Sequence, residues 1–166
     1  MALLRPKRYV SSVDRIDVDE LCDAGVRCVL VDRDNTLVPR DTKSAPPEVR
    51  AWLRDLKSAG ISVCMVSNNF HTKDVCASAQ DLGCSVVHHA MKPAPVAVHV
   101  ALRHMGVSKD EAILVGDQVF TDVMAGNLAG VATVLVKPQS EVDLWYTLIL
   151  RKVERLVLTG VEYEGN

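Results

Sequence analysis

The chain has 166 residues, enough for one domain with a substantial core and too few for two comfortable ones. Hydrophobic residues make up 48%, charged residues 24%, and the formal net charge is −2, which excludes extensive disorder and a nucleic-acid binder that works through bulk positive charge. Five cysteines (Cys22, Cys28, Cys64, Cys76, Cys84) without CxxC spacing suit thiols of a reducing compartment. Residues 1–10 lack the apolar stretch of a signal peptide, and no run approaches the ~20 apolar residues of a membrane span. The expected location is therefore cytoplasmic, with peripheral contact at the inner face of a membrane left open.

The first legible strand is the apolar run Val29-Leu30-Val31, which ends in Asp32-Arg33-Asp34. After Pro46-Pro47, the residues Val49, Trp52, Leu53, Leu56 and Ala59 mark one face of a helix that Gly60 closes. Ile61 to Val66 reads as a second buried strand, stopping at Ser67-Asn68-Asn69. A helix from about Lys73 to Leu82 and a third strand, Cys84 to Val87, follow. Pro95 to Met105 is the next helix, Ser108 to Glu111 a single turn, and Ala112 to Val115 a fourth strand. Thr121 to Ala129 is again helical, Val131 to Val136 is a fifth strand, and Glu141 to Leu158 is a long C-terminal helix. Alternating strands and helices predict an α/β three-layer sandwich, a Rossmann-like parallel sheet flanked by helices. One domain is expected over 1–166, with a core of about 26–138.

Polar clusters follow four of these strands: Asp32 with Asp34, Ser67 with Asn68 and Asn69, Lys92-Pro93, and Gly116-Asp117-Gln118 with Asp122. In a parallel sheet the carboxyl ends of the strands share one edge, so the clusters converge. Two acids one residue apart repel unless a cation lies between them. Magnesium accepts oxygen ligands and keeps several waters, so the carboxylates of Asp32 and Asp117 with the carbonyl of Asp34 suffice to hold it. Asp122 stands behind, holding a metal-bound water or the lysine. Lys92 offers a point charge for phosphate oxygens. Ser67 and nearby backbone N–H groups can donate to a phosphate, and Asn68 is expected among the phosphate-binding residues. The Asn68 side chain equally suits a tight turn. Cys76, Cys84, His88 and His89 match no common zinc spacing.

The strings Asp32-Arg33-Asp34-Asn35-Thr36-Leu37-Val38-Pro39, Val66-Ser67-Asn68-Asn69, Lys92-Pro93 and Gly116-Asp117-Gln118-Val119-Phe120-Thr121-Asp122 resemble the haloacid dehalogenase superfamily and, within it, the YqeG branch. The resemblance runs from about Tyr9 to Arg155. It implies a phosphomonoester hydrolase in which Asp32 is the nucleophile of an aspartyl-phosphate and Asp34 the acid and base. It further implies that Thr36 ties the loop, Ser67 and Lys92 hold the phosphoryl group, and Asp117 completes a magnesium site backed by Asp122. Arg33 departs from the pattern, since an apolar residue is usual between the two aspartates. It can turn away from the pocket or add positive charge beside the phosphate.

The intervals from Thr36 to Ser67 and from Ser67 to Lys92 leave no room for a cap domain, so an open site is expected. Such a site suits a large substrate, a membrane-borne headgroup, or a neighbouring subunit acting as the lid. Leu144-Trp145-Tyr146 and Leu148-Ile149-Leu150, followed by Arg151, Lys152 and Arg155, have the composition of an interfacial helix. Packing against the sheet, a second copy of the chain and lipid all stand open for it. The YqeG branch is similar to phosphatases of phosphatidylglycerophosphate, which makes that phospholipid headgroup the expected substrate. A soluble sugar or nucleotide phosphate is the alternative, and a phosphate-sensing or partner-binding protein the alternative of a different class.

Overall fold

Four consecutive buried side chains, Cys28 to Val31, must be covered from both sides, and this requirement puts their strand at the middle of a sheet. The computed structural model describes residues 2–165. Its elements in chain order are β1 (Arg8–Val10), α1 (Val18–Asp23), β2 (Cys28–Val31), α2 (Pro47–Ser58), β3 (Ser62–Val66) and α3 (Thr72–Leu82). Then come β4 (Ser85–Val87), α4 (Val96–Met105), β5 (Ala112–Gly116), α5 (Met124–Ala129), β6 (Ala132–Val136) and α6 (Trp145–Val157). All strands are parallel, in the order β1-β6-β5-β2-β3-β4.

Alternate residues of each strand feed opposite layers. Val29, Val31, Met65 and Val115 pack with Trp52 and Leu56 of α2 and Val75 of α3. Cys28, Leu30, Cys64 and Leu114 pack with Val98 and Ala101 of α4 and Ala125 of α5. The expected three-layer α/β sandwich is thus observed. From β2 the chain winds outward through β3 and β4, then returns to lay β5 on the other side of β2. The reversal opens a crevice between the carboxyl ends of β2 and β5, where open α/β sheets bind ligands. Only α2 with its loop separates β2 from β3, and only α3 separates β3 from β4. Among the described residues there is no inserted cap.

Three local features differ from the sequence reading. Strand β1 and helix α1, too short to show periodicity, precede the first strand read from the sequence; Asp17 caps α1 through the N–H groups of Asp19 and Glu20. The helix expected from Thr121 begins as a π-helical turn, Val119–Val123, before continuing as α5. The C-terminal helix starts at Trp145 rather than Glu141, because residues 139–142 are tied to the loop after β2. Gln139 N–H donates to Asn35 O (3.0 Å), and Val142 O accepts from Asn35 Nδ2 (3.0 Å). At the outer edge of β1, Val10 pairs with Glu164 through Glu164 N to Tyr9 O (2.8 Å) and Ser11 N to Glu164 O (2.9 Å).

Candidate active site

The loop leaving β2 folds back on itself. Leu37 N donates to Arg33 O (3.0 Å) and Asn35 N to Val38 O (2.8 Å), with Asn35 in the left-handed region at φ 61°, which asparagine tolerates better than most residues. This turn buries Asp32, Arg33, Asp34, Asn35 and Thr36. Asp32 lies at the end of β2 and Asp117 at the end of β5, on either side of the crevice. Ser67 follows β3, its N–H donating to Val87 O (3.0 Å).

Lys92 is the buried cation of the site. Its Nζ donates to Asp32 Oδ1 (2.7 Å), Asp122 Oδ1 (2.6 Å) and Val66 O (2.7 Å). Burial alone would depress its ammonium, and the two carboxylates more than offset that, so Lys92 stays firmly charged. Asp32 is pushed up to about 7, chiefly by burial, against the pull of Lys92 and with the repulsion of Asp122 and Asp34 added. Only Oδ1 of Asp32 is engaged, which leaves Oδ2 without a partner among the described residues. Asp122 also accepts from Gln118 N–H (3.1 Å). A Cβ on Gly116 would stand 2.2 Å from Asp122 Cγ, so only glycine lets this aspartate reach its place.

Asp117 lies deeper than Asp32 and accepts from Thr36 Oγ1 (3.3 Å), while its other oxygen is paired with Arg151 Nη2. Burial raises its carboxyl well above the usual range, with Arg151 pulling the other way. Carboxylate oxygens of Asp32, Asp117 and Asp122 all lie within 4.8 Å of one another. Such a set of hard anionic oxygens at one buried point fits a divalent cation. The histidines and cysteines weighed for zinc form no such group among the described residues.

Asp34 is held by three side chains: Arg33 Nη1, Asn69 Nδ2 (2.9 Å) and Arg40 Nη2 (3.4 Å). Arg33 also donates from Nε to Ser78 Oγ (2.9 Å), which fixes its guanidinium beside the acid rather than away from the pocket. The Asn68 side chain is spent on the lysine loop, donating to Lys92 O (2.9 Å) and accepting from Lys92 N–H (2.8 Å). Its amide therefore shapes the turn that carries Lys92 and is not free for the phosphate contact expected of this residue. Asn69, the last residue of the Ser67-Asn68-Asn69 cluster, is the one that meets Asp34.

Two residues of α6 that no motif flagged reach the site. Arg151 pairs with Asp117 and also donates to Asp117 O (3.1 Å) and Asp143 Oδ2 (2.7 Å). Buried Glu154 accepts from Val119 N–H (2.7 Å) and Phe120 N–H (3.2 Å), capping the π-helical turn that follows Asp117. Above the acids lies an open cavity of about 480 Å³. Its floor is polar, with Asp32, Asp34 and Lys92, while Phe70, Tyr146 and Leu150 stand among its walls.

Residues 4–130 match the family model of the haloacid dehalogenase-like hydrolases. The chain is 34% identical over 161 residues to "Probable phosphatase YqeG" of Bacillus subtilis (strain 168), which covers 97% of this chain and 93% of that one. It is 33% identical over 162 residues to phosphatidylglycerophosphate phosphatase 1, chloroplastic/mitochondrial, of Arabidopsis thaliana, covering 92% of this chain but only 46% of the plant protein. The cobalt-bound deoxy-D-mannose-octulosonate 8-phosphate phosphatase of Haemophilus influenzae shares the fold, with a TM-score of 0.53 at 15% identity over 82% of this chain and 89% of that one. The chain belongs to the haloacid dehalogenase-like hydrolases. Within that family it is a phosphatase of the YqeG kind, as its motifs led one to expect.

Proposed function

We propose that the chain hydrolyses a phosphomonoester by two-step transfer through Asp32, with magnesium as cofactor and phosphatidylglycerophosphate as substrate. The observation that carries the mechanism is the unpartnered Oδ2 of Asp32 beneath the cavity, beside an aspartate held in place by three side chains. Asp32 Oδ2 forms a bond to phosphorus as the bond to the leaving oxygen breaks, and Asp34 gives its proton to that oxygen. Asp34 then takes a proton from water, whose oxygen attacks the phosphorus. The aspartyl bond breaks, inorganic phosphate departs and Asp32 is restored. The Ser67 hydroxyl accepts from Asn69 N–H (3.1 Å), which leaves its hydrogen to donate to the phosphoryl group. Lys92 offsets the charge of the phosphoryl group and of the acids. Asp32, Asp117 and the carbonyl of Asp34 are the ligands we assign to magnesium, with Asp122 holding Lys92 behind them. When bound, the cation screens the repulsion between carboxylate and phosphate.

The lipid substrate is supported by the name of the plant relative and by the apolar side chains of Phe70, Leu144 and Leu150 among the otherwise polar lining of the cavity, which can meet the non-headgroup part of such a molecule. The test is phosphate release from phosphatidylglycerophosphate in mixed micelles with magnesium, against a panel of soluble sugar and nucleotide phosphates. Asp32→Asn should abolish turnover of every ester while the fold persists. Preference for a soluble ester would discard the lipid and keep the mechanism. Undiminished turnover by Asp32→Asn would overturn the mechanism.

A further inference from the structure

Helix α6 is amphipathic in the reverse of the usual sense. The side that meets the body carries Thr147, buried and lining the cavity, together with buried Glu154 and Arg151, which bind the loop after β5. The side that meets solvent is apolar: Trp145 is 73% exposed, Ile149 54% and Leu156 76%, with Val153 beside them. At 100° per residue these positions fall within one stripe less than a quarter-turn wide. Lys152 and Arg155 are exposed on its flank, and Glu154, the sole acid of the helix, is turned inward. A contiguous apolar surface of this size calls for an occupant.

We infer that the exposed apolar face of α6 docks on an anionic lipid bilayer. Charge favours this occupant: the outer face presents cations and no carboxylate, which suits an anionic plane. A second copy pairing through the same stripe would bring Lys152 and Arg155 of both chains together. Residue types agree, since tryptophan and tyrosine beside basic residues suit the boundary between headgroups and acyl chains. Position agrees too. Tyr146, at the edge of the stripe, lines the cavity with Leu150 and the preceding Leu144, so docking would place the site next to the bilayer. Leu4 and Leu158 pack on one cluster with Val119 and Val123, which brings exposed Arg5 and Lys7 near the end of α6. The inference concerns a surface beside the site, and binding does not depend on which ester the site cleaves.

The test is flotation of the full chain with vesicles of phosphatidylcholine alone or with about 30% phosphatidylglycerol, at low and at high salt. We expect binding to the anionic vesicles, weakened by salt, and a partition more than about tenfold lower for the double variant Ile149→Ser/Leu156→Ser. Neither residue lines the cavity, so turnover of a soluble phosphomonoester should be unchanged and serves as the control for folding. The chain has two tryptophans, and Trp52 is buried with Nε1 donating to Ile16 O (2.9 Å), so a blue shift of emission on adding vesicles would come from Trp145 and should vanish in Trp145→Phe. The inference is overturned by absence of binding and of any blue shift, by equal binding of the double variant, or by a dimer that the double variant dissolves. Failure of the phosphatase reading appears separately, as absence of magnesium-dependent phosphate release from every ester.

Discussion

Replacing Lys92 by methionine would leave Asp32 and Asp122 buried without their shared cation and Val66 O without its donor. Breaking a buried charge cluster in this way costs about 3–5 kcal/mol, and urea unfolding of Lys92→Met should show a loss of that order together with loss of turnover. The cysteines test the strands independently. Burial pushes the thiol of Cys64 up to about 12 and that of Cys84 up to about 11, and raises Cys28 as well. A raised thiol pKa lowers the reactive thiolate fraction, to about a thousandth at pH 8 for Cys84. Iodoacetamide should therefore label exposed Cys22 and Cys76 first and reach Cys28 and Cys64 only after denaturation, as read by peptide mass. Labelling of Cys64 as fast as Cys22 would contradict the buried β3.

At the scale of elements, α6 contributes to the site through buried polar groups. Glu154→Ala would strand the N–H groups of Val119 and Phe120 next to the loop of Asp117. We expect a loss of about 1–3 kcal/mol in thermal or urea unfolding and a fall in turnover, whereas Leu156→Ala on the outer face should alter neither. Strands β2, β3, β5 and β6 could be read from the sequence as apolar runs, and helices α2 to α4 from an apolar period long enough to see. Strand β1 has three residues and α1 six, too few for either period to declare itself. The convergence of Asp32, Ser67, Lys92 and Asp117 was legible because a parallel sheet aligns its strand ends. The contacts of Arg151 and Glu154 were not, since each joins residues 34 or 35 positions away through the path of residues 137–144. Asn69 and Arg33 fall between these cases: they adjoin motif residues, but their directions depend on α3 and on the turn after β3.

For the molecule as a whole, the proposed magnesium ion, bound only by the folded crevice, would stabilise the fold. At a magnesium concentration one hundred times its dissociation constant the gain is about 2.7 kcal/mol, which for a chain of this length raises the melting temperature by roughly 5–10 °C. Asp117→Asn should abolish most of that increment, and an undiminished rise would remove Asp117 from the cation site. The sheet that frames the crevice also has two unequal borders. At one, β4 is only three residues long; at the other, Glu164 already occupies hydrogen-bonding positions beside β1. Neither border presents a long row of vacant amide groups, so a strand from another molecule finds no template there. The protein should accordingly resist fibril growth seeded at its sheet borders.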